Sequence, residues 1–308
     1  MPAEHSRRQQ QGVYTSSILA TGNLTCKVLL LDTRFNKDPY GAVDGDFLGE
    51  EQWRWLEAEL ADDRPDLVLL GSSIQVLPEG KLIEESWSKF PAVRERLLRQ
   101  VLESPVPNIL LLSGDVHTSE VLKARCGAGR DKLLTEFTTS GLTHTFLEST
   151  LEKSKAEGRP RQVVSKGLFK SVVYAMYQWL FPHFYRESSD HHYQGIHFGL
   201  IEVVANREGE KRIVITTIDV DGRPVIVDSL PFRQNQRNLS ETCSSGPCLS
   251  NQSVCEPLWG TIPHWRVLLC ICGLSAVPIV SIGGSLCFLA TALYALYQRF
   301  RGQLRVSR

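Results

Sequence analysis

Net charge is what this 308-residue chain lacks first: 34 Lys+Arg offset 34 Asp+Glu. That balance excludes a nucleic-acid binder working by bulk positive charge, and it excludes a chain dominated by an acidic or basic disordered tail. Glycine, at 23 residues, is far too scarce for a collagen, which needs about one residue in three. A second absence is local, since not one charged side chain stands between Arg266 and Arg299. A helix rising about 1.5 Å per residue over such a run can cross the roughly 30 Å hydrocarbon core of a bilayer. One spanning segment is therefore expected at 265–298, with Trp265 at one end and Tyr294 and Tyr297 at the other as an aromatic belt. The alternative for this run is a buried core helix. A third absence lies at the start, where Met1 to Gln11 is polar throughout and lacks the apolar core of a signal peptide.

The charge that is present is unevenly placed. From Trp265 onward there are five arginines and no acid, which leaves a net charge of −5 (29 basic, 34 acidic) on everything before. The basic tail at 299–308 predicts a cytoplasmic C-terminus and a lumenal or extracellular body. Three Asn-x-Ser/Thr triplets, at Asn23, Asn238 and Asn251, are glycosylation candidates on that side. A tail-anchored protein with a cytosolic body is the competing topology, and the polar N-terminus favours it. Residues 233–264, rich in Ser, Asn, Gly and Pro, read as a stalk. Cys243 and Cys248 within it are disulfide candidates for an oxidising compartment, and Cys255 lies nearby.

Between residues 25 and 230, within a domain expected at 12–232, strands alternate with helices. Lys27 to Leu31, Leu67 to Leu70 and Ile109 to Leu112 are short, wholly apolar runs, as expected of strands buried on both faces. One helix is expected from Gly49, with acids in its first turn and Trp53, Leu56 and Leu60 on one face. A second opens at Pro91 and repeats Val93, Leu97 and Val101. Later runs around 198–204, 212–218 and 224–227 read as successive strands, the last two joined by an Asp221-Gly222 turn. Tyr174 to Phe184 reads as a short core or surface-docked helix. This order implies a layered α/β fold.

The candidate chemistry gathers where the strands end. The run ending at Ser113-Gly114 continues into Asp115 and His117, a carboxylate and an imidazole that suit Zn, Fe or Mn if the chain there is extended. A polar loop capping a helix, with Thr118 or Ser119 as N-cap, accounts for the same residues. The first strand leads into Asp32-Thr33-Arg34, the second into Ser72-Ser73, and a fourth, around 133–137, into Thr138 to His144. In open α/β sheets such carboxyl ends are where ligands collect, and an arginine there offers a planar fork to phosphate. Asp32 and Arg34 as a structural ion pair is the plainer reading of those two.

Six segments, in order and spacing, resemble PhoD-like alkaline phosphatases: Leu30 to Arg34, Gly49 to Leu56, Ser72 to Leu77, Glu85 to Arg96, Leu112 to His117 and Thr139 to His144. That family belongs to the calcineurin-like metallophosphoesterases, so the resemblance implies an α/β fold, the C-terminal portion of a two-sheet sandwich, here with one C-terminal transmembrane helix. It implies hydrolysis of phosphate esters at a bimetallic centre, iron with calcium or a pair drawn from zinc, manganese and magnesium. Asp115 then stands as a metal ligand, His117 as a metal ligand or a phosphate contact, Arg34 and Asp32 as the active-site rim, and His144 as a proton donor or a group supporting the ligands. The implied partners are a phosphate-ester substrate and a membrane, with no nucleic acid. The Gly-Asp-x-x-Tyr and Asp-His-Asp type motifs that carry most ligands in the family are missing, which leads us to expect an N-terminally truncated form of low or no activity. A phosphodiesterase or phospholipase, and a non-catalytic binding module, are the alternatives.

Overall fold

The computed structural model describes residues 10–79, 85–127, 132–145, 185–188, 190–233 and 255–258. The chain begins with a hairpin of β1 (Thr15–Thr21) and β2 (Leu24–Leu30), turned by Gly22 at positive φ and the exposed Asn23. Helix α1 (Gly49–Leu60) and β3 (Leu67–Gly71) follow, then α2 (Pro91–Glu103) and β4 (Ile109–Ser113). Next come β5 (Ser119–Cys126), β6 (Lys132–Thr139), β7 (His192–Tyr193), β8 (His197–Ala205), β9 (Lys211–Asp219), β10 (Pro224–Pro231) and β11 (Cys255–Pro257).

Eight strands form one sheet in the order β1-β2-β3-β4-β6-β5-β11, with β7 also on β5. Strands β2, β3, β4 and β6 run parallel, so their carboxyl ends share one edge of the sheet. The three-stranded sheet β10-β9-β8 is separate and antiparallel.

The strict alternation of a strand explains why the apolar runs need two covers. Val68 and Leu70 of β3 and Leu111 of β4 face the helices, where they pack with Trp53, Leu56 and Leu97. Leu67 of β3, Leu110 of β4, Val121 of β5 and Phe137 of β6 face the other way and meet Ile213, Ile215, Ile226 and Leu230 of the small sheet. The result is three layers: helices, large sheet, small sheet. Fully burying one such side chain contributes about 1.5–3 kcal/mol.

Helix α1 is anchored by Asp46, whose carboxylate accepts the Gly49 N–H at 2.8 Å and the Trp53 indole N–H at 2.8 Å. Glu50 and Glu51 in its first turn suit the helix dipole. Helix α2 opens with Pro91, where the missing N–H costs nothing.

The expected fold class needs correction in its membrane part. The described architecture is sheet-rich with two helices of 12 and 13 residues, and no helix among the described residues is long and apolar enough to cross a membrane. At about 1.5 Å per residue, 12 or 13 residues reach only about 20 Å, short of a bilayer core. The C-terminal transmembrane helix and the single-pass membrane localisation are accordingly not supported, and the expected span at 265–298 lies outside the described residues. The same holds for the Tyr174 to Phe184 helix, for Cys243 and Cys248, and for Asn238 and Asn251. Within the stretch read as a stalk, β11 joins the large sheet, and Cys255 is disulfide-bonded to Cys126 of β5. Residues 119–126, weighed as a capped helix start, form a strand instead.

The two sheets approach closely at Gly199 of β8. A Cβ there would lie 2.6 Å from Phe137 Cε1 and 2.8 Å from Thr139 Cγ2. Phe137 is fully buried and has no room to give way. Gly199→Ala is expected to destabilise the fold by about 1–3 kcal/mol through overpacking, and thermal melting should fall by about 2–4 °C per kcal/mol. An unchanged melting temperature would show that the sheets have slack at this crossing.

Candidate active site

The parallel register carries four polar loops to one edge. The ends of β2, β3, β4 and β6 lead into Asp32 to Arg34, Ser72-Ser73, Gly114 to His117 and Ser140 to His144. Side chains tie neighbouring loops together. Thr33 and Ser73 hydroxyls are hydrogen-bonded, the Ser140 hydroxyl accepts the His117 N–H at 2.9 Å, and Ser113 meets Thr138 at 2.8 Å.

The first loop is built from its backbone outward. The buried Gln52 side chain of α1 accepts the Asp32 N–H at 2.8 Å and donates to the Asp32 carbonyl at 2.9 Å. The Asp32 carboxylate in turn accepts the N–H groups of Val13 at 2.8 Å, Arg34 at 2.8 Å and Phe35 at 2.9 Å. Burial works to raise the Asp32 pKa, but these three backbone donors outweigh it and hold the group below the ordinary carboxylate value. Asp32 therefore organises the loop, and its bond to Arg34 runs to the main-chain N–H, so the structural ion pair considered from sequence is not formed.

The Arg34 guanidinium projects into solvent at the rim and is held by Glu85 from the segment before α2. Its other amine lies 3.8 Å from an Asp115 carboxylate oxygen. Burial disfavours the Arg34 charge, yet the hydrogen bond and attraction of Glu85, with a further pull from Asp115, raise its pKa overall. Glu85 is lowered in return: burial opposes its charge, but hydrogen bonds from Arg34 and Tyr40 prevail. The Tyr40 hydroxyl, raised by burial and by Glu85, stays a proton donor to that carboxylate.

Asp115 and His117 do not share an extended chain as the sequence suggested. Both occupy the left-handed region, with φ of 74° and 55°. The Val116 N–H bonds back to the Gly114 carbonyl at 3.0 Å, closing a three-residue turn centred on Asp115. Such conformations cost of order 1–3 kcal/mol each and persist where surroundings impose them, often at functional sites. The turn aims Asp115 at Arg34, while the His117 ring meets the His144 ring edge-to-face with centroids 4.1 Å apart. His144 is exposed and its Nδ1 lies 3.0 Å from the Thr143 hydroxyl.

Arg34, Asp115, His117 and His144 are thus brought to one rim, with Asp32 set back as their support. Sequence reasoning missed Glu85, Tyr40, Gln52 and Ser140. Glu85 and Gln52 lie inside motifs that were singled out, so the signal was present without a role attached; Tyr40 carries none. Among the described residues no three His, Cys, Asp or Glu side chains converge closely enough to hold a metal ion. The described donors do not fit a bimetallic centre, and a metal pair would need ligands from outside the described residues.

A sheet that delivers an arginine, a carboxylate and paired imidazoles to one rim is suited to an anionic ester. The family match points the same way. The family described as PhoD-like phosphatase matches residues 1–175, more than half of the chain, and the chain belongs to that family. Its members are in general metal-dependent. Among solved structures, one titled "Structure of PhoD" is similar at 24% identity with a TM-score of 0.34; the match covers 42% of this chain and 28% of that one. No curated protein matches.

Two outcomes test the loop's construction. Gln52→Ala leaves the main-chain N–H and C=O of Asp32 without partners in the core, and each such loss costs about 1–3 kcal/mol; an undiminished melting temperature would refute that role. Because the Asp32 pKa is lowered on folding, its stabilisation is complete above the unfolded value of about 3.9 and is lost as pH falls through the folded value. Asp32→Ala should melt well below wild type near neutral pH, with the gap closing as the pH is lowered below about 4. A gap that stays constant into acid would mean that Asp32 acts without its charge.

Proposed function

We propose that this chain carries the phosphate-binding part of a PhoD-like phosphatase, a hydrolase of phosphate esters, with the domain spanning 12–232 and completed in its large sheet by β11. The observation that supports this most is Arg34. It is half exposed at the mouth of four converging strand ends, oriented from behind by Glu85 and faced by Asp115. A guanidinium fixed in this way presents a planar pair of donors to phosphoryl oxygens at no further ordering cost.

Each neighbouring group has a task in that reading. Glu85 and Tyr40 keep the guanidinium aimed outward. Asp115, at 3.8 Å, is close enough to restrain Arg34 before substrate arrives and far enough to give way to a phosphate oxygen. His144, whose ring packs edge-to-face on that of His117, is the group able to pass a proton to a leaving alkoxide. Asp115 and His117 are the described residues proposed to contribute metal ligands.

Monoester and diester hydrolysis are separated by assay of p-nitrophenyl phosphate and bis-p-nitrophenyl phosphate in the presence of divalent ions. Arg34→Ala should lower kcat/KM by about 10²–10³ on whichever ester is turned over. Arg34→Lys should recover little, because a point charge does not reproduce the fork. Full activity in Arg34→Ala would remove Arg34 from the site.

A further inference from the structure

The loop carrying His144 is held by a residue from the other sheet. His197, at the start of β8, is 1% exposed. Its ring Nε2 accepts the Gly141 N–H at 3.3 Å, which requires the proton on Nδ1, and Nδ1 donates to the Gly195 carbonyl at 2.7 Å. Its main-chain N–H donates to the Gly141 carbonyl at 3.1 Å, so both backbone groups of Gly141 are bound by one residue. The fit leaves no room for a side chain, since a Cβ on Gly141 would lie 2.3 Å from the imidazole Cε1.

Gly141 sits between the residues the rim depends on. Ser140, one residue earlier, accepts the His117 N–H, and His144, three residues later, packs on the His117 ring. The small sheet is fastened at the same end by the Ser119 to Thr217 hydroxyl bond of 2.7 Å and by the close passage of Gly199 over Phe137. His197 is therefore fixed to a rigid layer on one side and to the loop on the other.

We propose that His197 is a positioning residue: held in the small sheet, it clamps Gly141 and so sets the placement of Ser140 and His144 against His117. The catalytic part of this inference rests on the phosphatase reading above; the clamp itself does not. His197 touches no substrate. It confines the loop so that the imidazole pair is already assembled when an ester arrives, which is the usual requirement for a group supporting a precise site.

The test uses the full chain and reads the clamp without turnover. Hydrogen exchange of the Gly141 amide, with the imidazole resonances of His117 and His144, is followed in wild type, His197→Phe and His197→Gln. Phe keeps the bulk and loses both ring hydrogen bonds; Gln restores an acceptor and a donor. Gly141 protection should fall about tenfold or more in His197→Phe, with both histidine resonances shifted, and return toward wild type in His197→Gln. Should His197→Phe fail to fold, Gly141→Ala approaches the contact from the other partner. It should displace the same two resonances, and His197→Ala in the same chain should relieve it, a coupling that independent sites do not show. Unmoved His117 and His144 resonances in the folded variants would overturn the proposal. If the wild type hydrolyses p-nitrophenyl phosphate, His197→Phe should lower kcat about tenfold with little change in KM; a chain with the clamp but without hydrolysis would count against the phosphatase reading alone.

Discussion

The rim depends on a side chain that stands in for a strand. Beyond Leu31, whose N–H still bonds to Gly71, the chain leaves the ladder and Asp32 needs partners for both of its main-chain groups. Gln52 provides both from within a helix, at full burial, so that α1, the sheet and the first loop are locked as one body. The order is strict: Asp46 fixes the start of α1, α1 places Gln52, Gln52 places Asp32, and the Asp32 carboxylate shapes the turn from which Arg34 leaves. An unpaired amide in such a place costs as much as a sizeable fraction of a domain's stability, which makes this sequence of contacts difficult to remodel piecemeal.

The opposite flank of the rim is built on different physics. There the constraint is close approach: Gly141 against His197 and Gly199 against Phe137 admit no side chain, and the small sheet presses on β6 and the loop after it. One flank is therefore fixed by hydrogen bonds from the helical layer and the other by steric contact and hydrogen bonds from the second sheet. The two left-handed residues between them, Asp115 and His117, are held from both sides. A turn of this kind is unfavourable in isolation, so its presence measures how firmly the two layers bracket it.

How far the sequence revealed this varies with the physics of each element. Strands β2, β3 and β4 were legible because burial on both faces demands unbroken apolar runs, and α1 and α2 because a single buried stripe repeats at helical spacing. Strand β5 was not, since Glu120 and Lys123 look like surface residues until Arg186 and Asp228 are seen to pair with them inside the fold. Strand β1 lacks a core pattern because both its faces are largely exposed. For the rim, Arg34, Asp115, His117 and His144 were legible as polar residues at strand ends. Their supports were not: Gln52 and Asp32 act on main-chain atoms, which leaves no compositional trace, and His197 arrives from a strand more than fifty residues away in sequence.

The placement of β11 gives the large sheet a polarity. On one side β7 and β11 occupy the outer edge of β5, and β11 is fastened there by the Cys126–Cys255 bond. On the other side β1 ends the sheet among the described residues, with Ile18 and Leu19 exposed. The two ends of the sheet thus differ in how they are tied: the β5 side carries a cross-link that outlasts any loss of hydrogen bonds, while the β1 side, farther from β6 and the loop that carries His144, is joined to β2 through a short hairpin.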